Sequence, residues 1–114
     1  MSKQGTALIL TSMMRSEEKT FTIGDSYQMI RDAVDGYIEC VHLPSIGVDM
    51  WCNEEGKLIG LPQNDFASLF FQKEYGVFDS VRGDVIFTGG VDKEGETLGL
   101  TDTQLDELKK RLGV

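Results

Sequence analysis

Few residues in this chain could do chemistry. Its 114 residues include one histidine, His42, and two cysteines, Cys40 and Cys52. A nucleophilic relay needs a thiol or hydroxyl, a base, and a carboxylate that orients the base. His42 stands mid-strand in the apolar run "YIECVHL", just ahead of Pro44. There a histidine is most simply a packed, hydrogen-bonded core residue. Cys40 shares its strand face at i, i+2, yet the pair lacks a third orienting group. No catalytic residue is therefore assigned. Zinc fares no better, because neither cysteine sits in a C-x-x-C and a single imidazole leaves the metal short of ligands. No metal and no cofactor is expected. The thiols read as reduced core groups, although Cys40 and Cys52 could also pair across strands.

Hydrogen bonding to a polar ligand asks for less. Glu39 shares a strand face with Tyr37, and Asn64 follows the corner made by Pro62. With Asn53 they form the candidate ligand-binding set: Tyr37, Glu39, Asn53 and Asn64. Plainer roles compete. Asn53 suits a turn, Asn64 can cap the helix after it, and Glu39 can simply face water. If Tyr37, Glu39 and Asn64 bind, they should converge on one cavity. A second subunit should line it, because so small a domain has little interior volume of its own. The glycine turns "TGG" and "GVDKEG" are too short for a phosphate-binding loop, and "DKEGE" lacks the spacing of a calcium loop.

The elements that must position these residues alternate in period. "TALILTSM" (Thr6 to Met13) reads as a buried strand and "KTFTI" as its hairpin partner. "GDSYQMIRDAVDG" switches to helical spacing, with Tyr27 in the core and Asp25 or Ser26 as the cap. Gly36 takes the left-handed position past its end. "YIECVHL" sets Tyr37, Glu39, Val41 and Leu43 against Ile38, Cys40 and His42, and "VDMWCN" returns beside it. "NEEG" then makes a hairpin loop, Asn53 tolerating and Gly56 supplying a positive φ, into a strand "LIGLP" that Pro62 stops. Asn64 or Asp65 opens the helix "DFASLFFQKEYG", whose Phe66, Phe70 and Phe71 cannot all face one core. "RGDVIFTGG" is a strand. Thr101 with Gln104 is a capping box opening a last helix, striped by Leu105, Leu108 and Leu112. The predicted class is α+β: a single domain over residues 1–114, mainly antiparallel sheet, with two to three short helices packed on one face.

The stretch "GYIECVHLPSIGVDMWCNEEGKLIGLPQN", Gly36 to Asn64, resembles a family of small uncharacterised phage, plasmid and bacterial proteins, a domain of unknown function. The shared features are a Gly-Tyr-Ile-Glu strand start, an Asn-Glu-Glu-Gly-Lys-Leu hairpin and a Leu-Pro-x-Asn corner. A helix precedes the first, and a Gly-Asp strand follows the last. Gly36, Tyr37, Glu39, Asn53, Gly56, Leu61, Pro62 and Asn64 match, and the likeness runs from about Glu18 to Lys109. The segment "FASLFFQKEYGVFDSV" is longer than in short members. The resemblance implies no established activity, only a setting rich in phage.

Composition narrows the classes. Nineteen acids against eleven bases give a formal charge of −8, which repels phosphate backbones and disfavours general nucleic-acid binding. No apolar run is long enough to span a bilayer, and the opening "MSKQGTALIL" lacks a signal-peptide core. A cytoplasmic protein is expected, in the host cytoplasm if phage-encoded. Three functional classes stand. A non-enzymatic phage-type accessory protein, of a counter-defence kind and homo-oligomeric, would sequester a small nucleotide-like ligand of the host. An acidic inhibitor would bind a host protein as a DNA mimic. An enzyme acting on a small molecule would need His42 exposed in a cleft.

Overall fold

Two hairpins and one late strand build the sheet. β1 (Gln4–Leu10) and β2 (Ser16–Thr22) form the first hairpin, β3 (Ile38–Leu43) and β4 (Val48–Asn53) the second. β5 (Val85–Thr88) slots between them, giving the order β2-β1-β5-β4-β3 with every pair of neighbours antiparallel. The computed structural model describes residues 3–113. All of β5, Val-Ile-Phe-Thr, is buried, as a central strand covered on both sides demands.

Register decides which side each residue serves. Leu8, Leu10, Met50, Cys52, Val85 and Phe87 point one way, while Ala7, Trp51 and Ile86 point the other. α2 (Asp65–Tyr75) and α3 (Asp102–Leu112) cover the first side with Ala67, Phe70, Leu108 and Leu112. Phe70 meets Phe87 edge-on at 5.3 Å, a pairing worth about 1 kcal/mol beyond its buried area. α1 (Tyr27–Val34) covers the second side with Ile30 and Val34, one turn apart. The α+β class stands, but the helices expected on one face divide between two. The alternating strands are apolar on both sides, so a single helical layer would leave Ile86 and its neighbours in water.

Local signals hold at the last helix. Thr101 Oγ1 accepts from the Gln104 amide at 3.1 Å, and Gln104 Oε1 accepts from the Thr101 amide at 2.9 Å. Elsewhere the expectations shift. Tyr27 is exposed rather than core, its ring facing the Arg31 guanidinium at 6.0 Å, because Ile30 and Val34 already fill the buried side of α1. Asp35, not Gly36, takes the left-handed position, at φ 57°. "LIGLP" is no strand. β4 is already paired with β3 and β5, so it has no free edge for the chain past Asn53, which winds through turns instead. Its apolar residues end in water, Leu58 at 80% and Ile59 at 59% exposure. Among the described residues no helix is long and apolar enough to cross a membrane.

Candidate functional site

Asn53 and Asn64 are built into the frame. Asn53 Nδ2 donates to the Val34 and Asp35 carbonyls at 3.2 and 3.3 Å, and its Oδ1 accepts from the Glu55 amide at 2.8 Å. One side chain thus ties the end of α1 to the turn after β4. Gly36 makes room for it: a Cβ there would lie 2.6 Å from Asn53 Nδ2. Gly56 is likewise a close-approach glycine and not a positive-φ one, since its Cβ would meet the Arg82 carbonyl oxygen at 3.0 Å. Asn64 is fully buried. Its Oδ1 caps α2 through the Ala67 amide, and Nδ2 donates to the carbonyls of Leu10 and Gly83 at 3.1 and 3.0 Å. Those bonds join β1, α2 and the segment entering β5, and leave the amide nothing to offer a ligand.

Tyr37 also lies apart. It precedes β3, and its exposed ring faces the Arg31 guanidinium of α1 at 5.5 Å. Of the four candidates, only Glu39 and Asn53 border one cavity, of about 270 Å³. Its floor is the α2-side surface of the β3–β4 hairpin, where Glu39 pairs in register with Cys52 and Val41 with Met50. One wall is the turn from Asn53 to Lys57; the other is Phe71 of α2 with Asp79 to Arg82. A Lys57–Asp79 ion pair joins the walls. Three carboxylates (Glu39, Glu54, Asp79) and two cations (Lys57, Arg82) surround the space. Arg82 is engaged from behind, Nε donating to Ser80 Oγ at 3.1 Å and Nη1 to the Leu61 carbonyl at 3.2 Å. Glu39 Oε1 accepts from the Cys52 thiol at 3.7 Å and has no other protein partner among the described residues. Burial, and after it the charge of Glu39, pushes the Cys52 thiol up to about 12, so it serves as a donor and not a nucleophile.

A family model described as Domain of unknown function (DUF3846) matches residues 6–113. The chain belongs to this family. No curated protein and no solved structure matches it significantly.

The opposite surface of the same hairpin gives this DUF3846 member a second cluster. His42, expected in the core, is 70% exposed at its side chain, because β3 is an edge strand. Its Nδ1 lies 2.7 Å from Oδ1 of Asp49, the residue directly across the ladder, whose side chain is only 8% exposed. Cys40 Sγ lies 3.8 Å from the same Nδ1. Asp49 is the orienting carboxylate that sequence reasoning did not find. Its register was nonetheless legible: a turn over Pro44 to Gly47 pairs Leu43 with Val48 and therefore His42 with Asp49. A relay needs thiol and carboxylate on opposite ring nitrogens, whereas here both meet Nδ1. Burial first, and the Asp49 charge second, push the Cys40 thiol up to about 12. The two cysteines, both free, cannot pair: Cys52 points toward α2 and Cys40 sits beside Trp51 on the other side. For Lys57, Asp79 and Arg82 no local signal existed, since the fold alone brings their segments together.

Proposed function

We propose that the chain sequesters a small, polar, nucleotide-like ligand in the cavity over Glu39, as a non-enzymatic phage-type accessory protein acting in the host cytoplasm. The observation that carries this reading is Glu39 itself. It is an exposed carboxylate with spare acceptor capacity, on a rigid strand, at the floor of a cavity with cations at its rim. Such a group selects a donor edge, such as the amino and ring N–H of a base. The charges surrounding the cavity, three negative and two positive, disfavour burying a phosphate beside Glu39. Any phosphate belongs outward, at Lys57 and Arg82, and Phe71 offers a ring for stacking.

Size sets a further condition. At about 270 Å³ the cavity is smaller than the roughly 300–1,000 Å³ of sites that enclose a drug-sized molecule. It takes one ring-sized moiety and leaves the rest of a nucleotide uncovered. Exposed Leu58 and Ile59, next in the chain after one wall, and Val77 and Phe78, just before the other, suit closure by a second copy of the chain.

Thermal-shift measurements with nucleosides, mononucleotides and cyclic oligonucleotides test this, paired with light scattering. A binder raises the melting temperature of the wild type. Glu39→Gln should lose that rise with its own ligand-free melting temperature unchanged. A panel that shifts nothing, together with native mass spectra of cell-purified protein showing no retained small molecule, rejects the reading. The charge of −8 favours a second reading, an acidic inhibitor of a DNA-binding host protein. Salt-sensitive capture of such a protein, unaffected by Glu39→Gln, would select it.

A further inference from the structure

We propose that Cys40, His42 and Asp49 form a site for a divalent transition metal of the zinc type, with its fourth position open to water. The three donors, one thiol sulfur, one imidazole nitrogen and one carboxylate oxygen, lie within 4.8 Å of one another. That is the ligand chemistry zinc takes, and three protein ligands with a vacant fourth position is the arrangement of an open site. Zinc at about 2.3 Å from sulfur and about 2.0–2.2 Å from nitrogen and oxygen holds tetrahedral donors roughly 3.3–3.6 Å apart. The hairpin places nitrogen and oxygen 2.7 Å apart, and sulfur and nitrogen 3.8 Å apart. Small side-chain rotations suffice to admit the ion.

Two observations favour a metal over a self-contained hydrogen bond. First, sulfur and carboxylate converge on one ring nitrogen, which carries at most one proton and can serve only one of them. A cation at that point serves all three. Second, Asp49 is a buried carboxylate that no lysine or arginine pairs with among the described residues, so its charge has only the imidazole as a partner. The exposed side of His42 provides the path for entry. On binding, the thiol proton leaves to solvent and the thiolate takes its place in the coordination shell. This site is independent of the Glu39 cavity, which lies across the sheet.

Titrating the reduced, chelator-treated full chain with Co²⁺ decides it. The expected result is a thiolate-to-cobalt charge-transfer band with the visible bands of four-coordinate cobalt, saturating at one equivalent and erased by Zn²⁺. Cys40→Ser should abolish the charge-transfer band. His42→Gln should weaken binding by more than about tenfold, since even the outer partners of metal ligands are worth that much. Both positions are at least partly exposed, and circular dichroism confirms that each variant keeps its fold. No band with the wild type at millimolar Co²⁺ overturns the proposal. A band that survives Cys40→Ser, or binding indifferent to His42→Gln, overturns it equally.

Discussion

The two faces of the β3–β4 hairpin carry the same pair of groups in opposite states. Toward α2, Cys52 is buried and donates a hydrogen bond to Glu39, which is exposed. Toward α1, Asp49 is buried and Cys40 is only partly so. Residue type does not explain the exchange; strand position does. Cys52 and Asp49 belong to β4, which has a neighbour on each side, whereas Glu39 and Cys40 belong to β3 at the edge. Each face therefore offers one fixed group and one accessible group. The accessible group is a carboxylate over the cavity and a thiol, with His42 beside it, over the cluster.

The comparison breaks first on stability. Met50 and Val41 are partners across the ladder, one in the inner strand and one at the edge. Met50→Ala should cost about 2–5 kcal/mol, and Val41→Ala about 1 kcal/mol, in urea denaturation. Equal costs would remove the distinction between the strands. Two helix caps sharpen it next. Asn64→Ala removes a cap and strips two buried carbonyls of their donor, for about 2–3 kcal/mol. Thr101→Ala, at an exposed cap, should cost about 1 kcal/mol. If Thr101→Ala proves the costlier in thermal melts, burial is not the governing variable.

Smaller effects separate the thiols. Both are raised from an ordinary 9.0 to about 12, so the unfolded chain loses its thiol protons first as pH rises. Their contribution to stability is complete below pH 9 and is lost between about 9 and 12. A chain with both cysteines changed to alanine should show a shallower alkaline decline in melting temperature; an identical decline contradicts the assignment. Least in energy is a difference in labelling. Cys40, partly exposed, should react slowly with a maleimide in the native protein, held back by its raised thiol, and Cys52 only on unfolding, as peptide mass mapping would resolve.

Local chemistry was legible in the sequence, and neighbourhood was not. The capping box is readable because Thr101 and Gln104 need only each other. Asn64 was readable as a cap for the same reason, yet its bonds to Leu10 and Gly83 cross the fold and leave no trace nearby. Alternation along "VDMWCN" sorts Val48, Met50 and Cys52 from Asp49 and Trp51, as the two sides of the sheet require. It gave no warning that β3 is an edge, so His42 was expected inside. The run "LIGLP" misled because apolar residues look alike whether or not a partner strand is free to receive them. Of the candidate set, Glu39 borders a cavity with spare acceptor capacity, whereas Asn53 and Asn64 are spent on the frame and Tyr37 stands elsewhere.

The central position of β5 has a consequence for how the molecule is made. Its four residues are the last to join the sheet in chain order and, among the described residues, form the strand that pairs with both hairpins. An isolated hairpin is marginal in water, so neither can settle before Val85 to Thr88 leaves the ribosome. Until then β1 and β4 each present an unpaired edge to other nascent chains, and pausing ahead of Val85 prolongs that exposure. Closure joins segments far apart in sequence, which makes it the slow event of folding. The yield of folded protein should thus be decided late in synthesis, by four residues buried in the middle of the sheet.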